Sequence, residues 1–427
     1  MSADVGCGTW SKRWHVFNSL KRDEAMIYFL AGSLANHAGG SIAGADILEN
    51  MLAPERQISV VCPDRCRLPE DVEGKAVAPP RWLVPPPTIR PLSLDASPRA
   101  LARRTIARGR GLILRRRVER ALRQLPPRLV VHNGFPVPYS YNNEVLDRYS
   151  NRLIVVHSAP EAVEFFQMSW PRLPRPLGAL EWVSERLRLV ENLAFVSPQI
   201  RDAWFDVARL TARNFVTPNT TRESEALRIR QLSRGQLRQT LGLPQDAFIV
   251  SCVGKVDPAK GQQFLVAALP RMVESTPNLH VVFVGPVTRF AERLPNEVEA
   301  LGLGDSVTFV GDRDDPFSFI RASDLLIHPS RTEGLPLILL EAMILRTPVL
   351  ATEVGGIPFA IQHGETGWLV PPENPGALAD AFQRLESDPS LRERLVVGGE
   401  TRYWEIFSRK RHRDRIQSMI ETCLVPV

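Results

Sequence analysis

Short apolar runs recur along the whole chain, and each ends near a glycine or a polar turn. Because they are apolar at every position rather than at alternate ones, they are typical of strands buried on both faces of a parallel sheet. In the first half the runs cover 27–31, 58–62, 129–132, 153–157, 193–197 and 214–217. In the second half they cover 248–254, 279–285, 307–311, 325–328 and 349–351. The pattern predicts an α/β protein with two doubly wound sheets.

The residues between Thr220 and Asp246 are rich in charge and contain no such run, which indicates a joint between two domains. A chain of 427 residues also exceeds the size at which single cores usually divide. The proline-rich passage 79–87 is interpreted as an irregular surface excursion. Ligands of open α/β sheets bind beyond the carboxyl ends of the strands, so we expect a site in the cleft between the sheets.

Composition adds a basic balance, with 53 Lys and Arg against 47 Asp and Glu. The stretch 98–128 holds eleven arginines and one glutamate, interleaved with apolar residues, and so predicts a basic amphipathic helix or helix pair. Such a stretch is either a solvated helix face or a membrane-binding surface. No run reaches the length of a spanning helix, and the odd set of five cysteines without a recognisable leader favours a reducing cytoplasm.

Two glutamates near the end of the second half are candidates for chemistry. Glu341 lies within an almost wholly apolar stretch, where an ionised carboxylate needs donors from the protein or from a ligand. Pro336 is expected to be the first helical residue, so that Gly334 and Leu335 offer backbone amides to an anion. A ligand with a phosphate at the helix N-terminus and hydroxyls at Glu341 would be a nucleotide. The alternative is that Glu333 is a solvated loop residue and Glu341 a satisfied core carboxylate.

The loop after the first strand of the second domain contributes cations. Lys255 and Lys260 lie there, flanked by Gly254 and Gly261, and could neutralise a diphosphate. A surface turn with solvated lysines is the alternative. The chain contains only six lysines, which favours the binding interpretation.

These motifs together resemble those of the retaining glycosyltransferases of family 4, within the glycosyl transferases group 1. The resemblance is carried, in the family's order and spacing, by Gly254, Lys255, Lys260, Gly261, Pro329, Ser330, Glu333 to Pro336, Glu341 to Met343, Pro348, Val349, Gly355 to Pro358, Gly364 and Gly367. The first half matches more loosely, through Gly39, Gly40, His157, Ser197 and residues 216–219. Lys255 stands where the family usually has Arg, and Phe359 where an acidic residue is common.

The resemblance implies the GT-B fold, in which two Rossmann-like doubly wound domains face each other across a cleft. The expected domains are 1–220 for the acceptor, 221–402 for the donor, and 403–427 as a C-terminal helix that crosses back to the N-terminal domain. It also implies transfer of a sugar, such as a hexose, from a nucleotide-diphosphate sugar with retention, and neither metal nor other cofactor is expected.

The resemblance assigns roles by position. Glu333 and His157 are the expected catalytic residues, with His37 a second candidate, and Glu341 the expected ribose-binding residue. The expected diphosphate-binding residues are Lys255, Lys260, Gly334, Leu335, Gly39 and Gly40. Four other histidines, His132, His280, His328 and His363, are interpreted as structural.

The expected partners are a nucleotide-sugar donor and a glycan or lipid-linked acceptor, in synthesis of cell-envelope polysaccharide or glycolipid. An anionic membrane surface could be bound through 98–128, at the inner face of the cell membrane. Nucleic acid is not expected, because no recognition module accompanies the basic charge. The alternatives are a nucleotide-sugar epimerase of the same fold and a basic nucleic-acid-binding protein.

Overall fold

A computed structural model describes residues 25–31, 56–61, 81–82, 129–133, 151–163, 178–288 and 291–425 of the chain. Within these ranges the apolar runs form two parallel sheets, with helices connecting successive strands of the second sheet. The α/β architecture predicted from the hydrophobic pattern is therefore confirmed.

The N-terminal sheet has seven strands in the order β3-β2-β1-β4-β5-β6-β7. They are β1 (Ala25–Ala31), β2 (Arg56–Val61), β3 (Arg81–Trp82), β4 (Leu129–Asn133), β5 (Arg152–Val156), β6 (Asn192–Phe195) and β7 (Arg213–Val216). The expectation that 79–87 is wholly irregular was wrong, since β3 pairs with β2 inside it. Proline is tolerated beside this strand because β3 lies at the sheet edge, where few backbone N–H groups are needed.

The C-terminal sheet has six strands in the order β10-β9-β8-β11-β12-β13. They are β8 (Phe248–Val253), β9 (Leu279–Val284), β10 (Val307–Gly311), β11 (Leu325–His328), β12 (Val349–Thr352) and β13 (Trp368–Val370). The pattern predicted five strands and missed β13. That strand is three residues long and pairs only with β12, so its apolar run is too short to recognise.

Twelve α-helices lie between or after the strands in the described part of the chain. They are α1 (Ala179–Arg188), α2 (Pro198–Ala208), α3 (Glu223–Arg230), α4 (Arg234–Leu241), α5 (Gln262–Ser275), α6 (Leu294–Ala300), α7 (Pro316–Ala322), α8 (Leu337–Ile344), α9 (Ile357–Ala360), α10 (Pro375–Ser387), α11 (Pro389–Arg402) and α12 (Arg409–Leu424). No helix in the described part of the chain combines the length and apolar character needed to cross a membrane.

One hydrophobic cluster joins the two domains. It contains Phe195 and Trp204 of the N-terminal domain together with Leu335, Leu339 and Phe407 from the second half of the chain. Trp204 and Phe407 are fully buried. Removing their apolar surface from water stabilises the contact between the two domains. The cleft is therefore closed by packing on one side, which fixes the relative position of the facing strand ends.

The chain returns to the N-terminal domain after α11. A π-helical turn, Tyr403–Phe407, follows that helix, and an extended backbone at Ser408 breaks it before α12 begins. The far end of α12 is attached to the first sheet, because Asn151 donates to the carbonyl of Cys423 at 2.8 Å and Arg213 to that of Thr422 at 2.7 Å. The predicted C-terminal helix crossing back to the N-terminal domain is confirmed.

Candidate functional site

The two domains meet in backbone contact at the carboxyl ends of β5 and β11. His157 follows β5, and Gly334 lies in the loop after β11. A Cβ atom on Gly334 would lie 1.6 Å from the carbonyl oxygen of His157, so any other residue here would force the domains apart. Gly356 also lies against the N-terminal domain, because a Cβ atom added to it would lie 2.7 Å from Oγ of Ser197. The sequence motifs around Glu333 and His157 are thus brought to one place.

Glu333 lies at this junction and is 9% exposed. Its Oε1 atom accepts hydrogen bonds from Nζ of Lys260 at 2.5 Å, Oγ of Ser330 at 2.8 Å and Nε2 of His328 at 2.8 Å. Burial alone would raise the pKa of Glu333, but the Lys260 ammonium and then the His328 ring outweigh it and hold that pKa well below its usual range. The carboxylate is therefore ionised and fixed in position, and the solvated-loop alternative is wrong.

The glycine-rich loop after β8 explains why Lys260 reaches Glu333. Gly261 has a φ of 71°, and a Cβ there would lie 1.9 Å from the carbonyl oxygen of Pro329. The loop therefore lies directly against the segment that carries Glu333. Lys255 is placed differently, since its side chain is 59% exposed and its Nζ lies 3.6 Å from Oδ2 of Asp257. Of the two predicted diphosphate cations, only Lys260 is part of the buried cluster.

Glu341 is buried within α8, as its apolar surroundings in the sequence predict. Thr221 donates to its Oε1 at 3.4 Å, a long and therefore weak hydrogen bond. Burial raises the pKa of Glu341 to about 7, a shift that the nearby Arg222 opposes only in part. Pro336 is the residue before the helix rather than its first residue, with an extended ψ of 127°. The protein itself thus leaves the charge of Glu341 poorly compensated.

Thr221 belongs to a buried segment, 217–221, that joins the two domains. Its neighbour Asn219 donates through Nδ2 to the carbonyl of Leu335 at 2.9 Å. The same segment therefore holds the backbone next to Glu333 and contacts the carboxylate of Glu341. Sequence reasoning gave Thr221 no role, because it lies 120 positions from Glu341.

The predicted catalytic His157 faces a second histidine from the C-terminal helix. Burial, followed by the proximity of His412, lowers the pKa of His157 to about 4, so its ring is neutral at neutral pH. His412 is 2% exposed, and its Nδ1 donates to the carbonyl of Pro218 at 2.7 Å. The crossing helix α12 therefore reaches the N-terminal side of the site.

The structure thus brings together Glu333, Lys260, Gly334 and His157, places Glu341 farther along α8, and leaves Lys255 exposed. Gly39, Gly40 and His37 lie outside the described residues. No functional role was predicted for His328, Ser330, Asn219, Thr221 or His412, although Ser330 and Asn219 lie within the matched motifs. His328 and Ser330 could have been found from their position at the end of β11, just before Glu333. Among the described residues, no group of three or more His, Cys, Asp or Glu side chains is placed to hold a metal ion.

Comparison with known proteins agrees with this geometry. Residues 233–402 match the family model of the glycosyl transferases group 1. A D-inositol 3-phosphate glycosyltransferase from Actinosynnema mirum is 31% identical over 270 residues, which is 61% of this chain and 61% of the relative. An alpha-D-kanosaminyltransferase from Streptomyces kanamyceticus is 36% identical over 167 residues, which is 38% of this chain and 42% of the relative. The chain thus spans less than two thirds of each relative's length.

The fold has close counterparts among solved structures. HepE from Anabaena, solved in complex with UDP-glucose, aligns with a TM-score of 0.70 at 20% identity, covering 93% of this chain and 99% of HepE. This confirms the GT-B arrangement of two facing domains. The chain therefore has the GT-B fold, and its residues 233–402 match the model of the glycosyl transferases group 1 family.

Proposed function

We propose that this protein is a retaining glycosyltransferase of family 4, which transfers a sugar from a nucleotide-diphosphate sugar without a metal ion. The observation that carries the proposal is the Glu333 cluster. A carboxylate held ionised by Lys260 and His328 lies where the C-terminal domain meets the strand ends of the N-terminal domain. Buried titratable groups whose pKa is strongly shifted by a specific charge partner cluster at functional sites.

The donor is proposed to lie along the loop after β8 and the start of α8. Lys255 and Lys260, together with the backbone amides of Gly334 and Leu335, would contact the diphosphate. Glu341 would accept hydrogen bonds from the ribose hydroxyls, which would compensate the buried charge that Thr221 satisfies only weakly. Gly39 and Gly40 would approach the phosphates from the N-terminal domain.

The demanding step is departure of the nucleoside diphosphate. As the bond from the anomeric carbon to the phosphate oxygen breaks, negative charge grows on that oxygen, and cations already in place stabilise it. The bond to the acceptor oxygen forms on the same face, and the acceptor proton passes to the departing phosphate oxygen. Glu333 is a weak base and nucleophile because its pKa is low, so its proposed role is to stabilise positive charge on the sugar rather than to attack it.

The neutral ring of His157 is proposed to contact the sugar or the acceptor from the N-terminal side. It can do so without adding a positive charge beside the developing cation, because its pKa lies near 4. A protonated histidine in this position would oppose the charge that Glu333 stabilises.

The proposed acceptor is a glycan or lipid-linked molecule used for cell-envelope polysaccharide or glycolipid. The name of the Actinosynnema relative points to a smaller acceptor, a phosphorylated inositol, as the alternative within the same reaction class. A panel containing both kinds of acceptor, assayed by mass spectrometry of the products, separates them.

A thermal-shift screen of nucleotide-diphosphate sugars tests the donor site. UDP-glucose is the natural first member, since HepE was solved with it. A ligand present at a hundred times its Kd stabilises the folded state by about 2.7 kcal/mol, which raises the Tm measurably. Lys260→Ala is expected to abolish the shift. If no UDP, GDP or ADP sugar changes the Tm of the wild-type protein, the proposed donor site is wrong.

Product analysis of the best donor then distinguishes transfer from epimerisation. A glycosylated acceptor with the donor's anomeric configuration supports the proposal. A free, epimerised sugar formed without acceptor would instead identify a nucleotide-sugar epimerase.

We further propose peripheral association with the inner face of the cell membrane through 98–128, a stretch outside the described residues. Its arginines would bind anionic headgroups while the apolar residues insert at the interface. Flotation with vesicles that contain phosphatidylglycerol should recover the protein, whereas vesicles of phosphatidylcholine alone should not. Equal recovery with both would contradict this role.

A further inference from the structure

A cavity of about 360 Å³ opens between the edge strand β7 and the crossing helix α12. Its polar lining comprises Thr217, at the carboxyl end of β7, and Arg411, Asp414, Arg415 and Ser418 of α12. The four helical residues follow the spacing of a single helix face, so their side chains converge on the same space. Neither Glu333 nor Glu341 lines this cavity.

The charge of the cavity is positive. Arg415 donates to the carbonyl of Ile406 at 2.5 Å and is only partly exposed. Burial lowers the pKa of Arg415, the like charge of Arg411 lowers it further, and Asp414 opposes the shift least. Two guanidinium groups therefore share this space against one carboxylate, which favours an anionic occupant.

The hydroxyl group of Thr217 is a further hydrogen-bond donor in the wall of the cavity. It is 3% exposed, and its Oγ1 atom is buried without a hydrogen-bond partner among the described residues. A buried hydroxyl left unsatisfied costs free energy, so a site that leaves one at its wall gains from an acceptor placed beside it. Guanidinium and hydroxyl donors together match the oxygens of a phosphate group.

We propose that the cavity between β7 and α12 binds the phosphate of a phosphate monoester or of a phospholipid headgroup. The volume lies near the lower end of the range for ligand pockets and leaves room for an alcohol moiety beside the phosphate. Asp414 offers an acceptor for a hydroxyl of that moiety. The occupant bridges the N-terminal sheet and the C-terminal helix, next to the segment 217–221 that contacts Leu335 and Glu341. This proposal does not depend on the proposed transferase activity.

Titration calorimetry with inorganic phosphate and with glycerol 3-phosphate tests the site, using the full chain at an ionic strength held constant with KCl. The same titrations on Lys260→Ala remove the contribution of the proposed donor site. Saturable binding of either phosphate should persist in Lys260→Ala. Arg411→Gln should raise the Kd about tenfold, the usual effect of losing one charge-assisted hydrogen bond.

Lys410→Gln is the matched control, because it removes one charge from an exposed position of the same helix but does not line the cavity. Its Kd should equal that of the parent protein. Thr217→Val should raise the Kd without lowering the Tm, since it removes a hydroxyl that has no hydrogen-bond partner within the described ranges. A fall in Tm on its own would show that Thr217 is structural and would count against the site.

Vesicle sedimentation distinguishes the two sources of phosphate. If phosphatidylglycerol vesicles bind and Arg411→Gln weakens this binding more than Lys410→Gln, the occupant is a lipid headgroup. If only the soluble phosphates bind, it is a phosphate monoester. The proposal is overturned if neither phosphate nor vesicle binds saturably, or if Arg411→Gln and Lys410→Gln weaken binding equally.

Discussion

Glu333 and Glu341 lie eight positions apart and are both buried, yet the protein treats their charges in opposite ways. Glu333 receives three hydrogen bonds on one oxygen, and its pKa is held well below the usual range despite burial. Glu341 receives one long hydrogen bond, and burial raises its pKa to about 7. Burial is therefore common to both, and the number and charge of the donors decide the ionisation state.

The difference indicates a division of labour. The charge of Glu333 is already compensated by Lys260, so it exists before any ligand binds and is fixed in direction. The charge of Glu341 is compensated only in part by the protein, and in the proposed donor site the ribose hydroxyls would add the missing hydrogen bonds. A preorganised charge suits stabilisation of a transition state, whereas an incomplete site suits ground-state binding of ribose hydroxyls.

The largest effect should come from Glu333→Gln. It keeps the shape of the side chain but removes the negative charge that is proposed to stabilise the reacting sugar, so sugar transfer should fall by a factor on the order of 10²–10³ or more. Transfer to acceptor is measured with a radiolabelled donor, and circular dichroism confirms folding. Glu373→Gln is the control, since this glutamate pairs with Arg331 at the surface. Activity close to that of the wild type in Glu333→Gln would refute its role.

Lys260→Ala should cause the next largest loss of sugar transfer. It removes a proposed diphosphate-binding cation. It also removes the ammonium that lies 2.5 Å from Oε1 of Glu333 and keeps this carboxylate ionised. Lys255→Ala removes an equal charge from an exposed side chain and should reduce kcat/KM only about tenfold. Steady-state kinetics on both variants measure the two losses of kcat/KM. Equal losses would mean that the contact between Lys260 and Glu333 contributes nothing to catalysis.

The comparison also predicts opposite pH dependences of stability. Because the folded pKa of Glu341 is raised from 4.5 to about 7, its ionisation destabilises the folded state as pH rises through this range. Glu341→Gln should therefore increase the free energy of unfolding at pH 8 by on the order of 3 kcal/mol and change it little near pH 4. Urea denaturation at both pH values measures this.

Glu333→Gln should show the reverse pattern. Its folded pKa is lowered, so the stability that the carboxylate contributes is present above its ordinary pKa and is lost as pH falls. Parallel pH profiles for the Glu341→Gln and Glu333→Gln variants would mean that the two carboxylates do not differ as the structure indicates.

Nucleotide binding should be linked to proton release at Glu341. Ribose hydroxyls favour the ionised carboxylate, so below about pH 7 binding should release up to about one proton. Calorimetry in two buffers of different ionisation enthalpy measures the number. Glu341→Gln should bind the nucleotide more weakly and release no proton.

The smallest effect is expected for Thr221→Val. The hydrogen bond to Glu341 is long, so its loss should weaken nucleotide binding by less than about 1 kcal/mol. It should also raise the pKa of Glu341 slightly, which moves the midpoint of proton release upward. A larger loss of affinity would show that Thr221 contacts the nucleotide directly.

The strands of both sheets could be predicted because an apolar run records burial on both faces, a local property of the chain. The short edge strands Arg81–Trp82 and Trp368–Val370 could not, because pairing with a neighbour rather than their own pattern makes them strands. The helix with Glu341 was placed within one residue of its start, since Pro336 restricts the backbone locally.

The candidate site divides in the same way. Glu333, Glu341 and Lys260 could be named from their motif spacing, and the burial of Glu341 from its apolar neighbours. The contacts around these residues could not be named from the sequence. Thr221 bonds to Glu341, Asn219 to the carbonyl of Leu335 and His412 to that of Pro218, and each pair joins segments that are far apart in the chain. His328 was interpreted as structural, although it is bonded to Glu333.

By itself, the sequence determined most of the buried strands and which carboxylate is surrounded by apolar residues, because hydrophobicity and backbone restriction act over a few residues. Only the tertiary structure decided that the pKa of Glu333 lies below its usual range while that of Glu341 is raised to about 7. Ionisation depends on charges and donors that are close in space. The fold brings the Lys260 ammonium into hydrogen-bond contact with Glu333, whereas Glu341 has one weak hydroxyl donor and the Arg222 charge, which oppose the effect of burial only in part.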